Sequence, residues 1–338
     1  MMKILYLGNK LSHHGFTKGV IETLGPQLES EGYAVIYAGT RKIVFVRMVE
    51  MLWAVLRNRK KIDYVLIDTY SSTAFWYAWL SGMLCRVLRL KYIHILHGGS
   101  LPERLLRSTW FCDGIFKHSF ANVAVSGYLK HYFEKAGYPA MVIPNNIDIN
   151  AYSFKMREVI TPRLLWVRSF HQIYNANMAA EVLALLLPSY PDATLCMVGP
   201  DKDGSMELFK NRCEQLGISN RVKITGLITK PEWHKLSQEY DIFINTTNVD
   251  NTPVSVIEAM ALGLPVVSTN VGGIPFLLED GKDALLVEKQ NAVTMTEAIC
   301  SLIANNNLAQ RLCANARAKA ESFSWEKVKG KWINLLSE

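Results

Sequence analysis

Residues 245–287 read NTTNVDNTPVSVIEAMALGLPVVSTNVGGIPFLLEDGKDALLV, and two short apolar runs in this stretch, one ending at Asn245 and one over 265–268, bracket a helical segment. Thr252 is placed to cap that helix, Pro253 suits its first position, and Gly263 with Pro265 ends it. A helix that starts where a strand ends aims its unbonded backbone N–H groups and positive dipole end beyond the sheet, a place suited to a diphosphate. Asp250 precedes the helix and Glu258 lies about one and a half turns along it, so two carboxylates flank the same anion site at different levels. Carboxylates accept hydrogen bonds from hydroxyls, so the pair suits a sugar at one end and a ribose at the other.

Outward from this stretch, short apolar runs alternate with longer periodic segments, the pattern of parallel sheets wrapped by helices. Predicted strands occupy residues 3–7, 34–37, 64–67, 92–96, 122–125 and 140–143, then 163–167, 194–198, 222–225, 242–245, 265–268 and 284–287. Between the two sets, residues 144–162 are rich in Pro, Asn and Asp and read as a linker. A chain of 338 residues exceeds what one core usually organises. The expected architecture is therefore α/β, two Rossmann-like parallel-sheet domains facing across a cleft. The first is expected over residues 1–152 and the second over 153–321, with a last helix over 322–338. Open parallel sheets bind ligands at the carboxyl ends of their strands.

The net charge of +7 is uneven. Residues 1–150 hold 18 Lys and Arg against 10 Asp and Glu, and the remainder 19 against 20. The basic first half favours an acidic partner, with an ordinary solvated basic face as the alternative. Two of its segments, 41–61 with Trp53 and 73–91, are amphipathic and basic. They suit a membrane surface, or equally helices packed on their own sheet. No uncharged run reaches the roughly 18 to 20 residues of a membrane span, and the short apolar run at 1–8 reads as a first strand rather than a signal peptide. Six dispersed cysteines without a C-x-x-C pair read as buried thiols of a reducing compartment, so a cytoplasmic location is expected.

The residues quoted above resemble the signature of the family 4 retaining glycosyltransferases: an acidic residue, seven intervening residues, Glu-Ala-Met-Ala, then Gly-x-Pro-Val-Val. Here it stands as Asp250, Glu258-Ala259-Met260-Ala261, Gly263-Leu264-Pro265-Val266-Val267 and then Gly272-Gly273. The resemblance extends over nearly the whole chain and implies the two-lobed GT-B fold, with the donor held mainly by the C-terminal lobe. It places Asp250 on the donor sugar, Glu258 on the nucleotide ribose, and the backbone of Asn251, Thr252, Pro253 and Val254 near sugar and phosphate. Asp250 stands where the family usually has Glu, a longer arm.

The same resemblance assigns Arg168, at the end of a predicted strand, to the donor diphosphate. The family's second cation, a Lys five residues on, is Ile173 here, which leaves His171, Lys202 or Lys230 as substitutes. His97, where a strand meets the loop Gly98-Gly99-Ser100, matches a family His near the donor sugar. Gly15 belongs to the loop over 8–19 that approaches donor phosphates and acceptor. The helix opened by Phe323-Ser324-Trp325 is the family's crossing-back helix. Asp201-Lys202-Asp203 imitates the D-x-D metal motif of the other large glycosyltransferase fold, but the resemblance implies a metal-independent enzyme with no cofactor. His94 and His97 lack a third metal ligand.

The implied function is retaining transfer of a hexosyl unit from a nucleoside diphosphate sugar, UDP rather than GDP-mannose, to a hydroxyl of a glycan or lipid-linked acceptor. Polysaccharide or glycoconjugate biosynthesis at the inner face of a membrane is the expected setting. The alternative is a non-catalytic glycan- or membrane-surface-binding protein with a degenerate site. A nicotinamide oxidoreductase is disfavoured because no G-x-G-x-x-G follows the first strand, and nucleic acid because no reading module is present.

Overall fold

The computed structural model describes every residue except Thr17. The chain divides into two units, each built on six parallel strands. In the first unit the strands are β1 (Lys3–Leu7), β2 (Ala34–Ala38), β3 (Tyr64–Thr69), β4 (Tyr92–Leu96), β5 (Ala121–Ala124) and β6 (Met141–Val142). They lie in the order β2-β1-β3-β4-β5-β6. The strands are apolar on both faces because helices cover both, as parallel sheets require; Ile4, Leu5, Val65 and Ile93 are all fully buried.

The second unit carries β7 (Arg163–Val167), β8 (Thr194–Val198), β9 (Val222–Gly226), β10 (Ile242–Asn245), β11 (Val266–Thr269) and β12 (Leu285–Val287), ordered β12-β11-β10-β7-β8-β9. Its core is centred on Trp166, Phe170, Phe209 and Phe243, each fully or almost fully buried. Each sheet has one place where neighbouring strands send their crossovers to opposite edges, between β1 and β3 in the first and between β7 and β10 in the second. Such switch points open a crevice at the carboxyl ends of the strands.

The units meet the chain's own boundaries at other places than the sequence predicts. The first comprises Met1–Asn146 with Trp325–Glu338, and the second Ile147–Ser324. Ile147 marks the change because its N–H donates to the Phe323 carbonyl (2.9 Å) and it forms a bridge with Ser324, pinning the outgoing and returning segments together. The last helix, Trp325–Leu336, then buries Val328, Trp332, Leu335 and Leu336 in the first unit's core beside Ile4 and Leu28. Trp325 Nε1 donates to Glu31 Oε1 (3.0 Å).

Candidate active site

At the switch point of the second sheet, Arg168 follows β7 and residues 246–253 follow β10. The two loops are stapled together: Trp166 Nε1 donates to Thr246 Oγ1 (3.0 Å), Thr246 Oγ1 donates to the Tyr174 carbonyl (2.9 Å), and the Asn248 N–H donates to the Ile173 carbonyl (2.7 Å). The Arg168 guanidinium lies over the Tyr174 ring, 4.2 Å from its centroid. Its burial pulls the arginine below its ordinary pKa, since removing a cation from water disfavours its charged form.

Arg168 and Asp250, expected on the diphosphate and on the donor sugar, are bound to each other through Nη2 and Oδ2. Asp250 Oδ1 accepts from the N–H of Asn251 (2.9 Å). The carbonyl of Asp250 accepts from the N–H of Gly273 (2.9 Å). That close approach explains Gly272-Gly273: a Cβ on either would collide with the carbonyl oxygen of Asp250 or Asn251, and Gly272 has φ +55°.

The helix beyond this loop spans Val254–Ala261, and its N-cap is Pro253 in an extended conformation (φ −68°, ψ 115°). The expected Thr252 cap and helical Pro253 are therefore corrected: with Pro253 extended, the helix begins one residue later and no side chain caps it. Thr252 Oγ1 and Ser255 Oγ are instead buried without a partner, as are Arg168 Nε and Asn248 Oδ1. Among the described residues the N–H groups of Val254 and Ser255 also have no acceptor. Buried polar groups are normally satisfied, so a cluster of orphans around a helix start is the signature of a polar ligand site.

Glu258 is 3% exposed. It accepts from Tyr152 Oη (3.0 Å) and from Lys230 Nζ (2.6 Å). Burial and Glu258 push the Tyr152 phenol far above its usual range. Of the three candidate substitutes for the missing cation, Lys230 is thus the one brought to Glu258. His171 is taken up locally, its Nδ1 accepting from the N–H of Ile173 (3.2 Å) as cap of a short turn. Lys202 donates its backbone N–H to the Phe170 carbonyl (3.0 Å). Asp201 and Asp203 are spent as turn acceptors for the N–H groups of Gly204 and Ser205.

In the first unit, His97 follows β4 and is 4% exposed. Nε2 lies 3.0 Å from Asp68 Oδ1, and the ring stacks on Tyr70 (4.8 Å, 26°). His94 is wholly buried, with Nδ1 2.8 Å from Thr69 Oγ1, and burial lowers its pKa to about 3. Gly15, at φ +83°, ends the short turn Ser12–His14 in the left-handed region that glycine tolerates. The loop over 8–19 includes Thr17, outside the described residues. Sequence reasoning missed Asp68, Tyr152 and Tyr174, none of which belongs to a motif.

Two family models match the chain: Glycosyltransferase Family 4 over residues 4–151 and Glycosyl transferases group 1 over residues 161–305. An uncharacterized glycosyltransferase of Haemophilus influenzae is 29% identical over 59% of this chain and 53% of its own length. D-inositol 3-phosphate glycosyltransferase of Corynebacterium urealyticum is 24% identical over 50% and 41%. The chain thus spans about half the length of these relatives. Anabaena HepE in complex with UDP superposes with a TM-score of 0.77 at 18% identity, over 99% of this chain and all of HepE. With family models on both halves and a superposition on HepE over nearly its whole length, the chain belongs to the group 1, family 4 glycosyltransferases of GT-B fold.

Proposed function

We propose that the protein transfers a hexosyl unit from a UDP-sugar to a hydroxyl of a glycan or lipid-linked acceptor, with retention at the anomeric carbon and without a metal. The observation that carries this reading is the set of unpartnered donors around the start of the helix Val254–Ala261: Arg168 Nε, the N–H groups of Val254 and Ser255, and two hydroxyls. A diphosphate would satisfy them, with Arg168 exchanging Asp250 for phosphate oxygens. Asp250, released, is then available to a sugar hydroxyl. Glu258, held by Tyr152 and Lys230, is the acceptor for ribose hydroxyls. His97 is assigned to a sugar hydroxyl on the family resemblance alone.

In this mechanism the bond from the anomeric carbon to the diphosphate breaks while negative charge builds on the leaving phosphate. Arg168 and the helix amides stabilise that charge, the interaction that strengthens most in the transition state. The acceptor hydroxyl attacks from the leaving group's own face and gives its proton to a phosphate oxygen. UDP is taken as the nucleotide by analogy with HepE. The cytoplasmic face of a membrane is the setting we favour, reached through the basic first unit.

A thermal-shift screen of nucleotides and nucleotide sugars, followed by product analysis by NMR, tests the reading. Stabilisation by UDP and one UDP-sugar, with an α-linked product from the α-donor, is expected. Binding with neither transfer nor donor hydrolysis would make the protein a binding module, and a β-linked product would overturn retention.

A further inference from the structure

Asp68 is the penultimate residue of β3, beside β1 at the switch point of the first sheet. Its side chain is 2% exposed. Oδ1 accepts from Tyr6 Oη (3.0 Å) and faces His97 Nε2 (3.0 Å), while Oδ2 is buried without a partner. Oδ2 sits directly over Gly8, where a Cβ would collide with it, and at a small cavity lined also by Asn9, Tyr70 and Tyr77. His97 is otherwise fixed by its N–H to the Thr69 carbonyl (2.8 Å) and by the Tyr70 stack, and among the described residues its Nδ1 has no partner.

An ionised carboxylate only accepts hydrogen bonds. His97 must therefore place its proton on Nε2, and in the neutral ring Nδ1 is left as a lone-pair acceptor. A hydrogen bond to a charged acceptor favours this tautomer about ten- to a hundredfold. We propose that Asp68 is a positioning residue that locks His97 in the Nε2–H tautomer, so that His97 meets substrate as an acceptor for a hydroxyl of the transferred sugar. This rests on the donor reading above for the identity of the ligand, and on the geometry of the first unit alone for the tautomer. A donor deoxygenated at the contacted position would lose the interaction, because Nδ1 has nothing else to accept from.

The full-length protein labelled with 15N-histidine, examined by two-bond proton–nitrogen spectra near neutral pH, reads the tautomer directly, with His97→Asn identifying the signals. A protonated Nε2 with a bare Nδ1 is the expected result. A proton on Nδ1, or on both nitrogens, overturns the proposal without any variant being needed. Asp68→Ala should give mixed tautomers and about a hundredfold lower kcat/KM, with UDP affinity within about twofold because Arg168 and Glu258 are untouched; retained tautomer or retained turnover would also overturn it. Should Asp68→Ala fail to fold, the wild-type spectrum alone decides the tautomer. Failure of the wild-type protein to bind UDP would sink the donor reading and leave the tautomer result standing.

Discussion

Single residues in this protein are set by what they exchange. Arg168 and Asp250 neutralise each other in the second unit, and the proposed reaction requires the arginine to trade that carboxylate for a diphosphate. Arg168→Ala should weaken UDP binding by roughly ten- to a hundredfold, the worth of a charge-assisted pair, as measured by isothermal titration. Asp250→Asn should do the opposite: UDP binds at least as tightly because its competitor is gone, while turnover falls. Weaker UDP binding in that variant would refute the exchange. His94 offers a separate test through stability. Its pKa falls from about 6.5 unfolded to about 3 in the fold, so unfolding takes up a proton between those values. Stability from this residue is present in full above pH 6.5 and is lost as pH drops toward 3, at about 1.4 kcal/mol per pH unit. Urea midpoints between pH 5 and 6.5 should decline in the wild type and decline less steeply in His94→Gln.

At the level of elements, the strands were legible because a strand of a parallel sheet is buried on both faces and shows as an unbroken apolar run. All twelve predicted strands are present, and β6 is shorter than its run suggested, Met141–Val142 alone being paired. The helix Val254–Ala261 was legible as a helix, but its start was not. Thr252-Pro253 fits both a capped helix with proline at its first position and an extended proline before it. The choice between them is made by the Gly272-Gly273 segment holding the preceding loop from a distance in sequence. The same remoteness hid Tyr152 and Asp68, whose partners Glu258 and His97 lie 106 and 29 residues away. A motif marks residues close together in the chain, whereas these contacts are made by the topology of the sheets. The loop itself gives an element-scale prediction. Gly273→Ala drives a methyl into the Asn251 carbonyl, so the 250–253 segment must shift. Overpacking of this kind costs about 1–3 kcal/mol; a Tm lower by several degrees and UDP binding weaker by about tenfold are expected, and wild-type UDP affinity would remove the glycine pair from the site.

For the molecule as a whole, the distribution of charge carries a further consequence. Residues 41–118 hold 13 Lys and Arg against 5 Asp and Glu, while the rest of the first 150 residues are balanced, 5 against 5. The whole basic surplus therefore belongs to one stretch of the first unit, which includes the helices Val44–Asn58, Phe75–Val87 and Thr109–Phe116, packed side by side. That layer also exposes large apolar groups that a helix facing only water would not need: Phe45 is 67% exposed, Trp53 55% and Trp110 75%, and Arg57 lies over the Trp53 ring at 4.7 Å. Cations beside exposed tryptophan and phenylalanine match the phosphate and acyl boundary of an anionic bilayer, and no helix of the described residues is long and apolar enough to cross one. The protein should co-sediment with vesicles containing phosphatidylglycerol and not with pure phosphatidylcholine, and about 0.5 M salt should release most of it, because screening at that concentration reaches within a few ångströms. Phe45→Ser with Trp53→Ser should weaken vesicle binding by at least about tenfold while leaving UDP affinity unchanged, since both residues lie outside the unit proposed to hold the nucleotide. Equal binding to neutral and anionic vesicles, or no binding to either, would show that this basic layer serves water alone.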